Sequence, residues 1–418
     1  MKRKKTLILL MSIATLSVGL VNTAKAQLDS NSIKEAPNSP QGGQEKMLLA
    51  GEITTEWQSA RINSATNGSI TSPVQRFNSF GIQNPSYPFD AAPLGIMLMP
   101  LIKVNNSLFF DCQVGWDVTG GVSLNEAIAY YRVAPMCYAF AGFVPIRTGL
   151  YEGIMDDFTN RFCSTPIGMG IAAAPQCAVG IQGGIQAGYS KLNYQLYVAN
   201  GPQLDTTGGP TGSITYSNPW ANNLSKAVGG SIGFLPLSNS NLEIGLSGQY
   251  DPNIVNQNDP YTVGNIKTTS VVAYLNYFHV FNPIMVRVQG QYENTVVQDF
   301  NQYTKAGDST ATAIPTFDNR TSGWYAGLTL RASGSSHTFL SNLELGGRLG
   351  QLTVPKNNPW GTGNISQTTI CLTYWVTWKT PINISYDIYT PASIPQPNGP
   401  ATNLPTLNSL TVRGMWFF

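Results

Sequence analysis

The residues best placed to do chemistry lie between Arg147 and Pro175, in the run RTGLYEGIMDDFTNRFCSTPIGMGIAAAP. Tyr151, Glu152, Asp156, Asp157 and Arg161 gather there, in a chain where only 11% of residues are charged. Charged and phenolic side chains held at a narrow place attract or repel ions and order water. A second set is dispersed. Arg132, Arg147, Arg287, Arg331, Arg348 and Arg413 fall on the polar parity of stretches that alternate apolar and polar residues. Glu52, Glu56, Asp111, Asp117, Glu243, Glu293, Glu344 and Asp387 share that parity. The arrangement predicts acids on a loop facing arginines on a wall, with a transverse field across the water between them. Apolar Leu150, Ile154, Met155 and Phe158 are expected to pack the loop onto that wall.

Catalysis is poorly served by comparison. A serine nucleophile needs a histidine with an acid or amide partner, and only His279 and His337 are present, each beside a predicted turn. Two histidines and scattered cysteines give no metal-ligand spacing. No enzyme activity, metal or cofactor is expected. Gly183-Gly184 and Gly229-Gly230 read as strand glycines, outside any phosphate-loop context. Cys163 and Cys177 are a candidate disulfide that would hold the return limb of the loop; closing a loop of that size is worth roughly 3 kcal/mol by chain entropy.

What must position these side chains is a wall of strands. Residues 1–26 read as a secretory signal peptide: Lys2-Arg3-Lys4-Lys5, an apolar run from Thr6 to Val21, and a small-residue cleavage site ending at Ala26. Five of the 24 basic residues lie there, which leaves 19 against 22 acidic and a net charge of −3, so no basic excess points to nucleic acid. Residues 27–47, with Pro37, Pro40 and Gly42-Gly43, read as a flexible periplasmic lead-in.

From residue 48 to 418 one pattern continues. Leu49, Gly51, Ile53, Thr55 and Trp57 alternate with Glu52, Thr54 and Glu56, the period of a strand with one apolar and one polar face. Sixteen such strands are predicted, at 48–58, 95–104, 107–118, 123–133, 137–147, 177–188, 192–201, 225–236, 242–251, 267–280, 284–296, 321–333, 338–352, 367–378, 382–390 and 408–418. Tight turns alternate with long connections at 59–94, 148–176, 202–224, 252–266, 297–320, 353–366 and 391–407. Short periplasmic turns and long outside loops are the build of a transmembrane antiparallel β-barrel. Arg, Glu and Gln recur on the polar faces, which suits a wet lumen, and the apolar faces suit outer-membrane lipid. Cys112 is expected to face lipid, Cys371 the lumen, and Cys137 a periplasmic strand end. The last strand alternates through Leu410, Val412, Gly414, Trp416 and Phe418. Trp416 and Phe418 resemble the terminal signal by which the barrel assembly machinery recognises Gram-negative outer-membrane barrels.

Residues 142–202 carry a resemblance. The stretches AGFVPIRTG, STPIGMG, AVGIQGGI and SKLNYQLYVANGP resemble the phosphate-selective porin family and its broader porin relatives. Tyr194, Tyr197, Val198, Asn200, Gly201 and Pro202 match the family's Y-x-x-Y-V-x-N-G-P strand, and Pro166, Gly168 and Gly180 fit the elements before it. The family's lysine position is Phe143 here, and its dense basic ladder is missing. The resemblance implies an outer-membrane homotrimer whose third outside loop, 148–176, folds inward as a constriction. The function expected is passive diffusion of small polar or ionic solutes through a water-filled channel. The alternative is a structural or adhesive barrel with ligand-binding outside loops and a plugged bore.

Overall fold

The computed structural model describes residues 46–63, 90–117, 121–146, 149–150, 161–167, 175–205, 213–215, 225–255, 265–298, 320–353, 364–391, 394–396, 399–402 and 406–418. The predicted signal peptide and residues 27–45 of the predicted lead-in lie outside them.

The strands run in order as β1 (Lys46–Asn63), β2 (Asp90–Lys103), β3 (Leu108–Asp117), β4 (Gly121–Ala134), β5 (Cys137–Pro145), β6 (Pro175–Ala187) and β7 (Ser190–Ala199). After them come β8 (Gln203–Asp205), β9 (Ser213–Thr215), β10 (Ala227–Leu235), β11 (Leu242–Asp251), β12 (Thr268–Phe281) and β13 (Ile284–Val297). The chain ends with β14 (Arg320–Arg331), β15 (Leu343–Thr353), β16 (Ile365–Thr377), β17 (Thr380–Pro391), β18 (Ile394–Gln396), β19 (Gly399–Thr402) and β20 (Thr406–Phe417). Sixteen of them close into one antiparallel barrel, each beside its neighbour in sequence, with β7 joined to β10 and β17 to β20. β1 and β20 complete the ring, in register from Glu52 opposite Phe417 to Asn63 opposite Thr406. Closure removes the sheet edges that would otherwise leave backbone groups unpaired in lipid.

All sixteen predicted strands are present. The short pairs β8–β9 and β18–β19 are hairpins within two of the long connections, where the alternation predicts no strand. The predicted strand at 338–352 starts late, because Thr338–Ser341 forms one helical turn. Phe339 and Leu340 are adjacent apolar residues and break the alternation a strand requires. Phe339 packs on Tyr374 at 5.5 Å between ring centroids.

The faces are inverted relative to a water-soluble sheet protein. Val179, Leu196, Ile232, Leu246, Ile370 and Trp416 are exposed on the outside of the wall, while Gln182, Gln195, Ser231, Ser247, Gln367 and Asp387 are buried on the inside. Outward apolar and inward polar residues are what a lipid surround selects. One part of the inner wall departs from this pattern. Phe109, Ile128, Tyr130, Tyr138 and Phe140, on β3, β4 and β5, form an apolar cluster. Phe109 stacks on Tyr130 at 4.9 Å and meets Tyr138 edge-on at 5.7 Å.

Candidate pore interior

The described ends of the segment between β5 and β6 both reach across the barrel. Gly149 has φ +85°, and the Gln291 side chain occupies the space a Cβ would need. A residue with a side chain is therefore disfavoured there on two counts. Its neighbour Leu150 donates its backbone N–H to Gln291 Oε1 at 2.7 Å and packs on Tyr274. Tyr274 in turn donates to Glu243 Oε1 at 3.1 Å. Gln291 belongs to β13, on a different side of the ring from β5. Leu150 thus packs onto the wall, while Ile154, Met155 and Phe158 lie outside the described residues.

The return limb, 161–167, lies along β15, β16, β17 and β20. Arg161 stacks on Trp375 at 4.6 Å and pairs with Glu344 at 3.5 Å. Trp375 donates Nε1–H to Glu344 Oε2 at 3.0 Å and carries Arg331 at 5.2 Å. One residue on, Phe162 accepts from Arg413 Nη2 through its carbonyl at 3.2 Å, with the Arg348 guanidinium 4.6 Å from its ring. Cys163 donates its N–H to Ser385 Oγ at 3.0 Å. Ser164 sits at a junction. It donates to Asp387 Oδ1 at 2.6 Å and accepts from Arg348 Nη2 at 2.6 Å and Gln367 Nε2 at 3.2 Å. Thr369 also donates to Asp387 Oδ1, at 2.5 Å. The Ile167 N–H closes the limb on Gln367 Oε1 at 2.7 Å. Hydrogen bonds to charged groups in a low-dielectric interior are the stronger kind.

Missing side chains make the seat. A Cβ on Gly346 would lie 3.2 Å from the Phe162 ring, and one on Gly327 would lie 3.6 Å from it. Gly350 gives Ile167 the same clearance at 3.6 Å. These glycines share the inner face of β14 and β15, so together they form a shallow groove under the limb. Sequence reasoning misses them. The signal that could have found them is the placing of Gly346 and Gly350 two residues either side of Arg348, on one inward face.

Three expectations need correction. The disulfide is absent: no bridge joins Cys163 to Cys177. Cys163 is docked against β17, whereas Cys177 pairs with Phe143 on β5 and shares the outward parity of the exposed Val179 and Ile181. The arginines do face inward, but Arg287, Arg348 and Arg413 are 8%, 3% and 1% exposed, and the limb contacts Arg348 and Arg413. The return limb lies on the arginine wall, and the acids expected to face that wall, Glu152, Asp156 and Asp157, lie outside the described residues. Arg161 turns to Glu344 and Trp375, with its side chain 11% exposed, and does not project into the bore.

Arg331 stays partly exposed at the turn end, where its Nε donates to the Ser341 carbonyl at 2.7 Å; Arg132 is partly exposed at the same end. Tyr151, Glu152, Asp156, Asp157 and Arg147 lie outside the described residues. Of the other cysteines, Cys112 shares the outward parity of the exposed Phe110 and Trp116, and Cys371 is buried on the inner face, donating to the Arg161 carbonyl. Phe418 exchanges backbone hydrogen bonds with Gly51, at 3.0 and 3.4 Å, and its ring rests on Gly51 and on Trp416 at 5.4 Å. His279 meets Asn241 at 3.0 Å and packs with Tyr277 and Phe281, and His337 is exposed before the helical turn. Among the described residues no group of three His, Cys, Asp or Glu is placed to hold a metal.

A closed sixteen-stranded barrel with apolar outside, polar inside and alternating short and long connections has the fold of the outer-membrane porins. Three solved structures illustrate the likeness. The outer membrane channel DcaP of Acinetobacter baumannii aligns with a TM-score of 0.55 at 11% identity, over 91% of this chain and 99% of its own. The outer membrane protein OmpT of Vibrio cholerae aligns at 0.51 and 8%, over 91% and 99%. An anion-selective porin from Comamonas acidovorans aligns at 0.50 and 9%, over 90% and 100%. No protein-family model matches the chain, and no curated protein matches it in sequence.

Proposed function

We propose that this protein is an outer-membrane porin: a narrow, water-filled channel for passive diffusion of small polar or ionic solutes. Its long connections face the cell exterior and its tight turns the periplasm. The observation that carries the reading is the anchoring of one connection inside the barrel, at Leu150 on Gln291 and at the Ser164 junction. A loop held at those points narrows the bore without any help from the wall. Between the two anchors the sequence supplies Tyr151, Glu152, Asp156 and Asp157, and these are the groups proposed to meet the solute.

Liposome swelling tests the reading. Purified protein in vesicles should admit small sugars and amino acids, with rates falling steeply as solute size rises. Vesicles that stay osmotically tight to every solute would support the rival, a plugged structural barrel with binding loops. Burial of the inner face on most strands is the one observation that favours that rival. Partial exposure of the inner face on β1, β2 and β3 favours the channel.

A further inference from the structure

Two thiols meet where the return limb lies on the wall. Cys371 is on the inner face of β16, 1% exposed, and its Sγ–H donates to the Arg161 carbonyl at 2.7 Å. Cys163 follows two residues further along the limb, and its N–H donates to Ser385 Oγ at 3.0 Å. Ser385 on β17 is the register partner of Cys371, and Thr411 on β20 is the register partner of Ser385. The Cys163 Sγ lies 4.0 Å from the Thr411 carbonyl, and the Ser385 hydroxyl is within reach of both sulfurs. Solute passage gives neither thiol a task. The other cysteines stand on β3, β5 and β6, away from the strands that seat the limb.

We propose that Cys163 and Cys371 close into a disulfide that ties the return limb covalently to β16, so that the thiol–disulfide state of the envelope sets how firmly the loop is seated. The bridge does not depend on the porin reading; only its effect on current does. A disulfide joins Cα atoms about 4.4–6.8 Å apart, and neighbouring strands stand about 4.8 Å apart. Cys163 sits over β17, one strand from Cys371, so turning its side chain from Thr411 toward β16 brings the sulfurs together. The chemistry is exchange with the disulfide of a thiol oxidase in the oxidising periplasm. Cys163 is partly exposed and Cys371 is buried, so Cys163 loses its proton and attacks first. A mixed disulfide forms as one oxidase sulfur leaves. Cys371 then loses its proton and attacks the Cys163 sulfur, and the second oxidase sulfur leaves. Two electrons pass to the oxidase, whose disulfide ends as two thiols carrying the two protons. Alkylation of Cys163 reads the reduced form alone.

Peptide mapping tests the bridge. Outer membranes holding the full-length protein are denatured in excess maleimide, and the chain is digested without reductant. The peptide bearing Cys163 should be recovered joined to the one bearing Cys371, and reductant should part them. Recovery of both as alkylated thiols overturns the proposal, as does a link from either to another cysteine. Current noise in a planar bilayer tests the effect on the loop. In protein carrying Cys112→Ser, Cys137→Ser and Cys177→Ser, a phosphine reductant should raise open-channel noise severalfold, and adding Cys371→Ser should remove that response. Noise unmoved by reductant in linked protein overturns the control of loop seating. If the protein with Cys371→Ser does not assemble, Cys163→Ser takes its place. Linked peptides from a protein that conducts no ions refute the porin reading and leave the bridge standing.

Discussion

At the residue scale, the loop is held by a few groups whose environments make sharp demands. Ser164 donates to one carboxylate and accepts from one guanidinium, so Ser164→Ala takes a hydrogen-bond partner from Asp387 and from Arg348 inside the barrel. Asp387 keeps Thr369 and Gln367 and Arg348 keeps Thr369, so the loss is of hydrogen bonds to charged groups, worth about 1.5–3 kcal/mol each, enough to loosen the limb. Phe162 needs the room at Gly346; Gly346→Leu should lift the ring from the wall and raise single-channel current noise, which a bilayer recording would register. Cys163 offers a chemical readout. Burial pushes its thiol up to about 12, against the opposing pull of Arg413. Only the thiolate alkylates. At pH 8 its reaction with a small maleimide should therefore be about a thousandfold slower than that of an ordinary thiol of pKa near 8.5. The rate should climb about tenfold per pH unit beyond about pH 10, where an exposed thiol has already levelled off. Fast labelling at pH 8 in folded protein would mean that the limb is not seated as described.

At the element scale, the barrel was legible because a lipid surround enforces period two on every strand. Ile370, Leu372 and Tyr374 against Thr369, Cys371 and Thr373 leave no other reading, and the same holds at Ile382 to Asp387. The interior was less legible. Parity says that Arg348 points inward; it says nothing about whether water or the Ser164 hydroxyl meets it there. Contacts between Phe162 and Gly346, or Gln291 and Leu150, join residues far apart in sequence and follow no period. The disulfide failed for the same reason: Cys163 and Cys177 look close in sequence, but Cys177 faces outward and Cys163 inward. Strand order also yields predictions. Single cysteines placed in 64–89 and 306–316 should react with an impermeant maleimide on intact cells, and one at Asn239 should not; labelling of Asn239 alone would invert the orientation. The last strand closes the ring through Phe418 and Gly51. Phe418→Asp should cut the yield of heat-modifiable barrel severalfold, and normal yield would remove the terminal aromatic from its proposed role in assembly.

At the scale of the whole molecule, sixteen strands set a wide frame, and the segment between β5 and β6 is proposed to set what remains of it. Its described residues are fixed at two places, on β13 through Gln291 and on β15 to β20 through the Ser164 junction. The central claim is that this segment determines the conducting cross-section, and single-channel conductance in a planar bilayer tests it most directly. Wild-type protein should open in small uniform steps in molar potassium chloride. A variant with residues 152–159 replaced by a two-glycine link should give steps severalfold larger. Steps of equal size in the two proteins, or no steps in either, would contradict the account.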